Sequence, residues 1–286
     1  MGRSRYVPPV PAATAVPLPS STVILLREED GADGPFSVLM LERHGSITFP
    51  GVHAFPGGIV DPGDADVTSA ALPAAQAWSL PEEGDVPPHA LPYWVAAVRE
   101  LFEEVGILLA TRDGQMLEGP LGADIHQLRA RLHAGEPFGA LLAEAGLVAA
   151  TDRLHSFARW ITPKANPKRF DTRFLVGRVP AGQDVTVDGT ETVSATWYTP
   201  QTALAVYEAA KIQLIPPTVL TLDDLSRFDS VDAVLADARR RIVRAASPDI
   251  IAVEGGEPTM SYPNNTGTPT GSPRRLVLRD GRWRPA

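Results

Sequence analysis

The chain has 286 residues, 44% of them hydrophobic, enough to bury one substantial core, whether in one large domain or two small ones. A formal net charge of −8 argues against a broad electrostatic grip on nucleic acid polymers or anionic membranes and leaves small anionic ligands, which one local basic pocket could hold. The absence of cysteine excludes a disulfide framework, a thiolate metal site and a cysteine nucleophile.

Residues 1–20 are rich in Pro, Ala and Val but broken by prolines, which predicts a flexible lead-in rather than a signal peptide. Thr22–Arg27 and Phe36–Glu42 are short apolar runs flanking Asp30-Gly31-Ala32-Asp33-Gly34-Pro35, a strand, a turn and a second strand. Residues 65–92, with Pro73, Pro81, Pro87, Pro88 and Pro92, read as a partly helical insertion. Tyr93–Leu109 is predicted helical, with Trp94, Ala97, Val98, Leu101, Phe102 and Val105 forming a broad apolar side and the acidic residues set away from most of it. Asp124–Gly135 and Pro137–Leu147 predict a helical hairpin, inserted within about residues 113–155 and placed at the rim of any site.

Phe157–Ile161, Phe170–Val179 and Thr192–Tyr198 read as strands, with Pro180-Ala181-Gly182 as a turn. Pro200–Ile212 and Val231–Ala246 read as helices, the second closing in an arginine-rich turn that suits the helix dipole. Residues 247–273 predict loop, and Arg275–Arg279 with Arg282-Trp283 a small hairpin about Asp280-Gly281. The expectation is an α/β domain over residues 21–246, a mixed sheet between helical layers, followed by a loop-rich tail. No run approaches the roughly 20 apolar residues of a membrane span. Without cysteine the chain gives no sign of an oxidising compartment, so the cytoplasm is expected, and Arg284-Pro285-Ala286 does not match a Ser-Lys-Leu peroxisomal address.

The chemistry concentrates in Arg99-Glu100-Leu101-Phe102-Glu103-Glu104-Val105-Gly106-Ile107. On a helix, spacing i, i+3 and i+4 stacks Glu100, Glu103 and Glu104 on one side, where like charges repel unless a cation joins them. A hard divalent cation is the natural partner, taking carboxylate oxygens along with water and substrate phosphates. Acidic residues on a helix are more often just a solvated face. Two neighbours favour the metal: the glycine-rich loop Phe55-Pro56-Gly57-Gly58 with Asp61-Pro62-Gly63-Asp64, and Gly106 as a C-terminal cap. The six histidines have no His-Glu-x-x-His spacing, and neither a Gly-x-Ser-x-Gly elbow nor a Walker loop is present, so zinc, serine-hydrolase and P-loop chemistry lack support.

These residues resemble the signature of the Nudix hydrolases: Gly, five residues, Glu, seven residues, then Arg-Glu-aliphatic-x-Glu-Glu-x-Gly-aliphatic. Arg99 to Ile107 match its second half without departure, and the first half fits from Gly58 with Asp64 in place of the glutamate. Residues 65–98, 34 in all, stand where the pattern has seven, so the box is split. A split-box branch that includes a mammalian peroxisomal coenzyme A diphosphatase has this feature. The likeness continues through Phe49-Pro50-Gly51, Arg169-Phe170-Asp171-Thr172-Arg173-Phe174 and Leu214-Ile215-Pro216-Pro217-Thr218.

The resemblance implies a Nudix-type α/β/α sandwich and hydrolysis of a diphosphate bond with Mg²⁺ or Mn²⁺. It implies Glu100, Glu103, Glu104 and the Gly58 carbonyl as metal ligands, Glu103, Glu100 and Arg99 as the catalytic set, and Arg99 as holder of a glutamate, where the plain alternative is a surface ion pair. Further carboxylates are sought in Asp64 and Glu191, and substrate contacts in Arg43, Phe55, Arg169 and Asp171, since guanidinium forks suit phosphate. A small phosphorylated substrate is expected, a coenzyme A or acyl-CoA derivative first, then ADP-ribose or an NADH-type dinucleotide. A silent nucleotide-binding module is the reading from another class, and a homodimer is compatible with the sequence.

Overall fold

The computed structural model describes residues 15–29, 31, 34–43, 52–70, 90–187, 192–251, 257–262 and 274–286, and its centre is strand β1 (Leu18–Glu28). Val23, Ile24, Leu25 and Leu26 are consecutive and fully buried. Side chains alternate across a strand, so such a run belongs to a sheet covered on both faces. β2 (Phe36–Arg43) pairs antiparallel with β1, as the turn sequence between them requires. The strand begins inside the predicted lead-in, because residues 18–20 pair with residues 170–172.

Two short strands, β3 (His53–Ala54) and β4 (Gly57–Ile59), lead to a 3-10 turn at Pro62–Asp66. The predicted insertion at 65–92 is described only at its ends, and residues 71–89 lie outside the described residues. Helix α1 (Leu91–Val105) carries the acidic motif and closes at Gly106, whose φ of 71° and N–H bond to Phe102 O (3.0 Å) make the left-handed cap. The predicted helix ran four residues too far.

The inserted hairpin is α2 (Ala123–His133) and α3 (Phe138–Glu144), framed by a small sheet of β5 (Ala110–Arg112), β6 (Gln115–Met116) and β7 (Leu147–Ala149). β8 (His155–Ile161), β9 (Phe170–Arg178) and β10 (Thr192–Tyr198) complete the main sheet with β11 (Ala245–Ala246). Its order is β10-β2-β1-β9-β8-β11, with β1 and β9 parallel and β8 and β9 antiparallel.

Three helices follow β10: α4 (Pro200–Glu208), α5 (Pro216–Leu225) and α6 (Val231–Ala238). α4 ends at Glu208, short of the predicted limit at Ile212; Ala210 beyond it has a φ of 59°, and Gln213 then bridges to Val52. α5 has no counterpart among the elements expected from the sequence; it opens on Pro216-Pro217, and proline suits the first turn of a helix. α6 is also shorter than expected, and Arg241 beyond it stacks over the Phe157 ring at 3.9 Å. The tail is not simply loop. β12 (Asp249–Ile251) and β13 (Thr259–Tyr262) join the expected hairpin, β14 (Arg274–Arg279) and β15 (Arg282–Pro285), in one antiparallel sheet. The Asp280-Gly281 turn has positive φ at both residues, 49° and 73°.

The two faces of the main sheet bury separate cores. Val23, Leu25, Leu39 and Leu41 meet α1, α2 and α3, while Ile24, Leu26, Val38 and Met40 meet α4, α5, α6 and the terminal sheet. The result is the expected α/β/α sandwich around a mixed sheet. Among the described residues no helix is long and apolar enough to cross a membrane.

Candidate active site

Glycine brings the β4 strand against α1. Gly57 has a φ of 153°, and a Cβ there would overlap the backbone of Ser21 and Thr22; a Cβ at Gly58 would overlap the Glu100 carboxylate. Only bare backbone lets the strand and the acidic helix approach this closely. The closeness is used at once: the Gly57 N–H donates to Glu104 Oε2 at 2.8 Å, and Glu104 is only 5% exposed.

Arg99 organises the remaining carboxylates. Its Nε and Nη2 grip the two oxygens of Asp64 at 2.8 and 3.0 Å, Nη1 reaches Glu100 Oε1 at 2.7 Å and Glu103 Oε2 at 2.9 Å, and Nη2 also meets Ile59 O at 2.9 Å. Every one of the five guanidinium N–H groups is used. Asp64 is anchored in turn, since its Oδ2 accepts the Asp61 N–H at 2.8 Å within the cap of the 3-10 turn. The shorter side chain at the box position thus serves as a buttress for Arg99. From the opposite side, Arg129 of α2 donates two hydrogen bonds, 3.1 and 2.7 Å, to the carbonyl of Glu103, so a cation satisfies the C-terminal end of α1.

The electrostatics are uneven. Burial pushes the Glu100 carboxyl up to about 7 despite the pull of Arg99, and the Glu103 charge adds to the rise. Glu103 is also raised, mainly by burial. Burial opposes the charge on Arg99, but its bonds to Asp64 and the surrounding carboxylates outweigh that and raise its pKa. Among the described residues no three acidic or histidine side chains are already spaced as a cation cage. The carboxylates are drawn to Arg99 and to Gly57 instead. The donors are nevertheless all hard oxygens, on one helix beside a glycine whose missing Cβ leaves room at Glu100, and this set suits a divalent ion such as Mg²⁺.

A cleft of about 860 Å³ runs from these groups across the sheet. Gly58, Arg99, Glu100, Glu103 and Glu104 line one end and Phe55 part of its wall, with Phe55 edge-on to Phe174 at 6.4 Å. His133 of α2 borders the same cleft.

Two predicted substrate contacts are corrected. Arg169 is 7% exposed and its guanidinium bonds Thr162 O and Ala15 O at 2.9 and 2.8 Å, while Asp171 forms a two-point pair with Arg159 at 2.8 and 2.6 Å. The reason is strand parity. Lys168, Phe170, Thr172 and Phe174 line the cleft, so residues 169, 171 and 173 face the other way. Arg43 ends β2 opposite Thr192; its side chain, and the whole of Glu191, lie outside the described residues. Sequence reasoning also missed Trp160, Met260 and Trp283, which close the far end of the cleft and share no local pattern with the motif.

Comparison with known proteins agrees with this architecture. The family model described as the NUDT19 Nudix domain matches residues 65–227, more than half of the chain. Human acyl-coenzyme A diphosphatase NUDT19 is 28% identical over 238 residues, covering 68% of this chain and 62% of that protein. The putative nudix hydrolase 7 of Caenorhabditis elegans is 31% identical over 197 residues, covering 68% of this chain and 57% of that protein. The chain therefore spans about three-fifths of the length of these curated relatives. The crystal structure of a NUDIX hydrolase from Alicyclobacillus acidocaldarius superposes with a TM-score of 0.64 at 27% identity, covering 79% of this chain and 97% of that one. With the box helix, its glycine strand and the sandwich all in place, the chain belongs to the Nudix hydrolase family.

Proposed function

We propose that this protein hydrolyses the diphosphate bond of a small phosphorylated molecule with the help of Mg²⁺ or Mn²⁺, and that a coenzyme A or acyl-CoA derivative is its preferred substrate. The observation carrying the reading is the convergence of Glu100, Glu103 and Glu104 beside Gly57 and Gly58 at one end of an 860 Å³ cleft. The named activity of the human and chicken relatives favours the acyl-CoA class.

A diphosphate resists hydrolysis because its negative oxygens repel the incoming water, so the site must offset that charge and orient the nucleophile. Glu100, Glu103, Glu104 and the Gly58 carbonyl would hold the metal. When bound, it would supply charge neutralisation at the phosphoryl oxygens and acidify the attacking water. Arg99 keeps the Glu100 and Glu103 side chains in register and touches no substrate. Glu103, with 24% of its side chain exposed against 15% for Glu100, is the group best placed to accept a proton from that water. Residues 21–246 would form the catalytic domain.

The test is product analysis by mass spectrometry across CoA, acyl-CoA, NADH, ADP-ribose and diadenosine compounds, with Mg²⁺, with Mn²⁺ and after chelation. The expected outcome is metal-dependent release of two phosphorylated products, fastest from the CoA compounds. Tight nucleotide binding without turnover under every metal condition would replace the reading with that of a binding module.

A further inference from the structure

The far wall of the cleft comes from an unexpected place. Pro248, Met260 and Trp283 line it together with Trp160, and the first three lie beyond residue 227, where the family match ends. The sheet that carries Met260 and Trp283 is fastened to the domain rather than hung from it. Met260, Tyr262 and Leu276 are buried in the same core as Phe55, Trp160 and Phe174, and the Tyr262 ring lies 5.5 Å from that of Trp160. The Tyr207 hydroxyl of α4 accepts the Trp283 N–H at 2.8 Å and donates back to Trp283 O at 3.3 Å, while Arg284 pairs with Glu208 at 2.8 Å. This makes a fixed wall.

We infer that the C-terminal sheet is the selectivity wall of the site and that Met260 and Trp283 seat the apolar part of the substrate, an aliphatic acyl chain, while the glutamates hold its diphosphate. The inference rests on the diphosphatase reading above and adds to it the part of the chain that selects the substrate's apolar half. Three points carry it. The wall and the glutamates belong to one continuous cleft. The described residues of the sheet and its lead-in bring Pro248, Met260 and Trp283 to that cleft, a mainly apolar set whose single polar side-chain atom is the Trp283 indole N–H. Ile161, Ile215, Pro216 and Pro217 also line the cleft, and an unbranched thioether such as Met260 adapts its shape to a flexible chain.

The experiment compares kcat/KM for decanoyl-CoA and for CoA in the parent protein, Met260→Trp and Trp283→Ala. Because both substrates see the same folded fraction, the ratio is insensitive to partial unfolding of a variant. Filling the wall with Met260→Trp is expected to lower the decanoyl-to-CoA ratio by about tenfold or more, and Trp283→Ala is expected to shift the preferred chain length upward across an acyl series. A ratio within about twofold of the parent's in both variants overturns the inference.

A second measurement needs no turnover. Calorimetric binding of decyl phosphate is expected to be at least about tenfold tighter than that of inorganic phosphate in the parent, with most of the gain lost in Met260→Trp. Equal affinities overturn the wall. Absence of hydrolysis of either CoA compound with the decyl gain intact would instead overturn the substrate reading and leave the wall standing.

Discussion

The two ends of the cleft are built on opposite principles. At the glutamate end the structure fixes polar groups one by one: five N–H groups of Arg99 on Asp64, Glu100, Glu103 and Ile59, the Gly57 N–H on Glu104, and Arg129 on the last turn of α1. At the other end Tyr207 holds the Trp283 backbone, but the side chains presented to the cleft are mostly apolar. Trp160, Ile215, Met260 and Trp283 come from four separate stretches of the chain and offer surface and shape. Chemistry on a phosphorus centre needs atoms placed to a fraction of an ångström, whereas recognition of an apolar group needs a volume of the right polarity. A site with both can keep its reaction while the distant wall changes its substrate.

The sharpest way to break this contrast is to damage the charged end alone. Glu103→Gln keeps the size of the side chain and removes its ability to take a proton. A loss of about 10²–10⁴-fold in kcat/KM is expected, with little change in KM, read from initial rates on the preferred substrate. A loss below about fivefold would take the proton-accepting role from Glu103. Arg99→Lys comes next. Lysine keeps the charge but has three donors in place of five, so it cannot hold Asp64 by both oxygens while also reaching Glu100, Glu103 and Ile59. Outer partners of metal ligands are commonly worth about 10–100-fold in metal affinity or activity. That range is expected here, visible as a raised Mg²⁺ requirement. Loss confined to thermal stability would reduce Arg99 to a structural tie.

The chemical end was legible in the sequence because it is local. Arg99 to Gly106 lie within three helical turns, and the spacing of the glutamates and the cap at Gly106 read directly from residue types and helix geometry. The apolar end was not legible, because Pro248, Met260 and Trp283 meet Trp160 only through long-range packing of short strands without strong periodicity. A third kind of failure lies between these. In the segment 168–174 the residues chosen as substrate contacts, Arg169 and Asp171, have the parity that faces away from the cleft. Charge drew attention to them, whereas the strand's period of two gives the cleft residues 168, 170, 172 and 174. The paired substitutions Lys168→Ala and Arg169→Ala test that assignment. The first is expected to raise KM several-fold with an unchanged melting temperature. The second is expected to leave KM within about twofold but to cost about 1–2 kcal/mol of stability, because two part-buried carbonyls lose a charged donor. Reversal of the two results would place Arg169 in the site after all.

The smallest expected effect is the most informative about how the two faces of the sheet are stabilised, because they respond to pH with opposite sign. Glu100 sits at about 7 in the folded protein against about 4.5 unfolded, so between those values the folded state binds the extra proton. Its contribution to stability is full below pH 4.5 and is lost as pH rises through 7. His155 does the reverse. Burial, and then the nearby Arg239, whose Nε donates to its Nε2 at 3.3 Å, hold it down to about 4 against about 6.5 unfolded, so the unfolded chain binds the extra proton. Its contribution is full above pH 6.5 and is lost as pH falls through 4. After allowance for solvent screening each is worth about 1–2 kcal/mol. Metal-free Glu100→Gln is therefore expected to melt a few degrees higher than the parent at pH 8 while losing activity, a trade of stability for chemistry found where a carboxylate is kept charged for function. His155→Gln is expected to flatten the fall in melting temperature between pH 6.5 and 4 without touching turnover. Melting curves of the three proteins from pH 4 to 8, without metal and with Mg²⁺, decide the matter: added Mg²⁺ should erase the advantage of Glu100→Gln by stabilising only the parent. An advantage that persists at saturating Mg²⁺ would mean that Glu100 holds no metal.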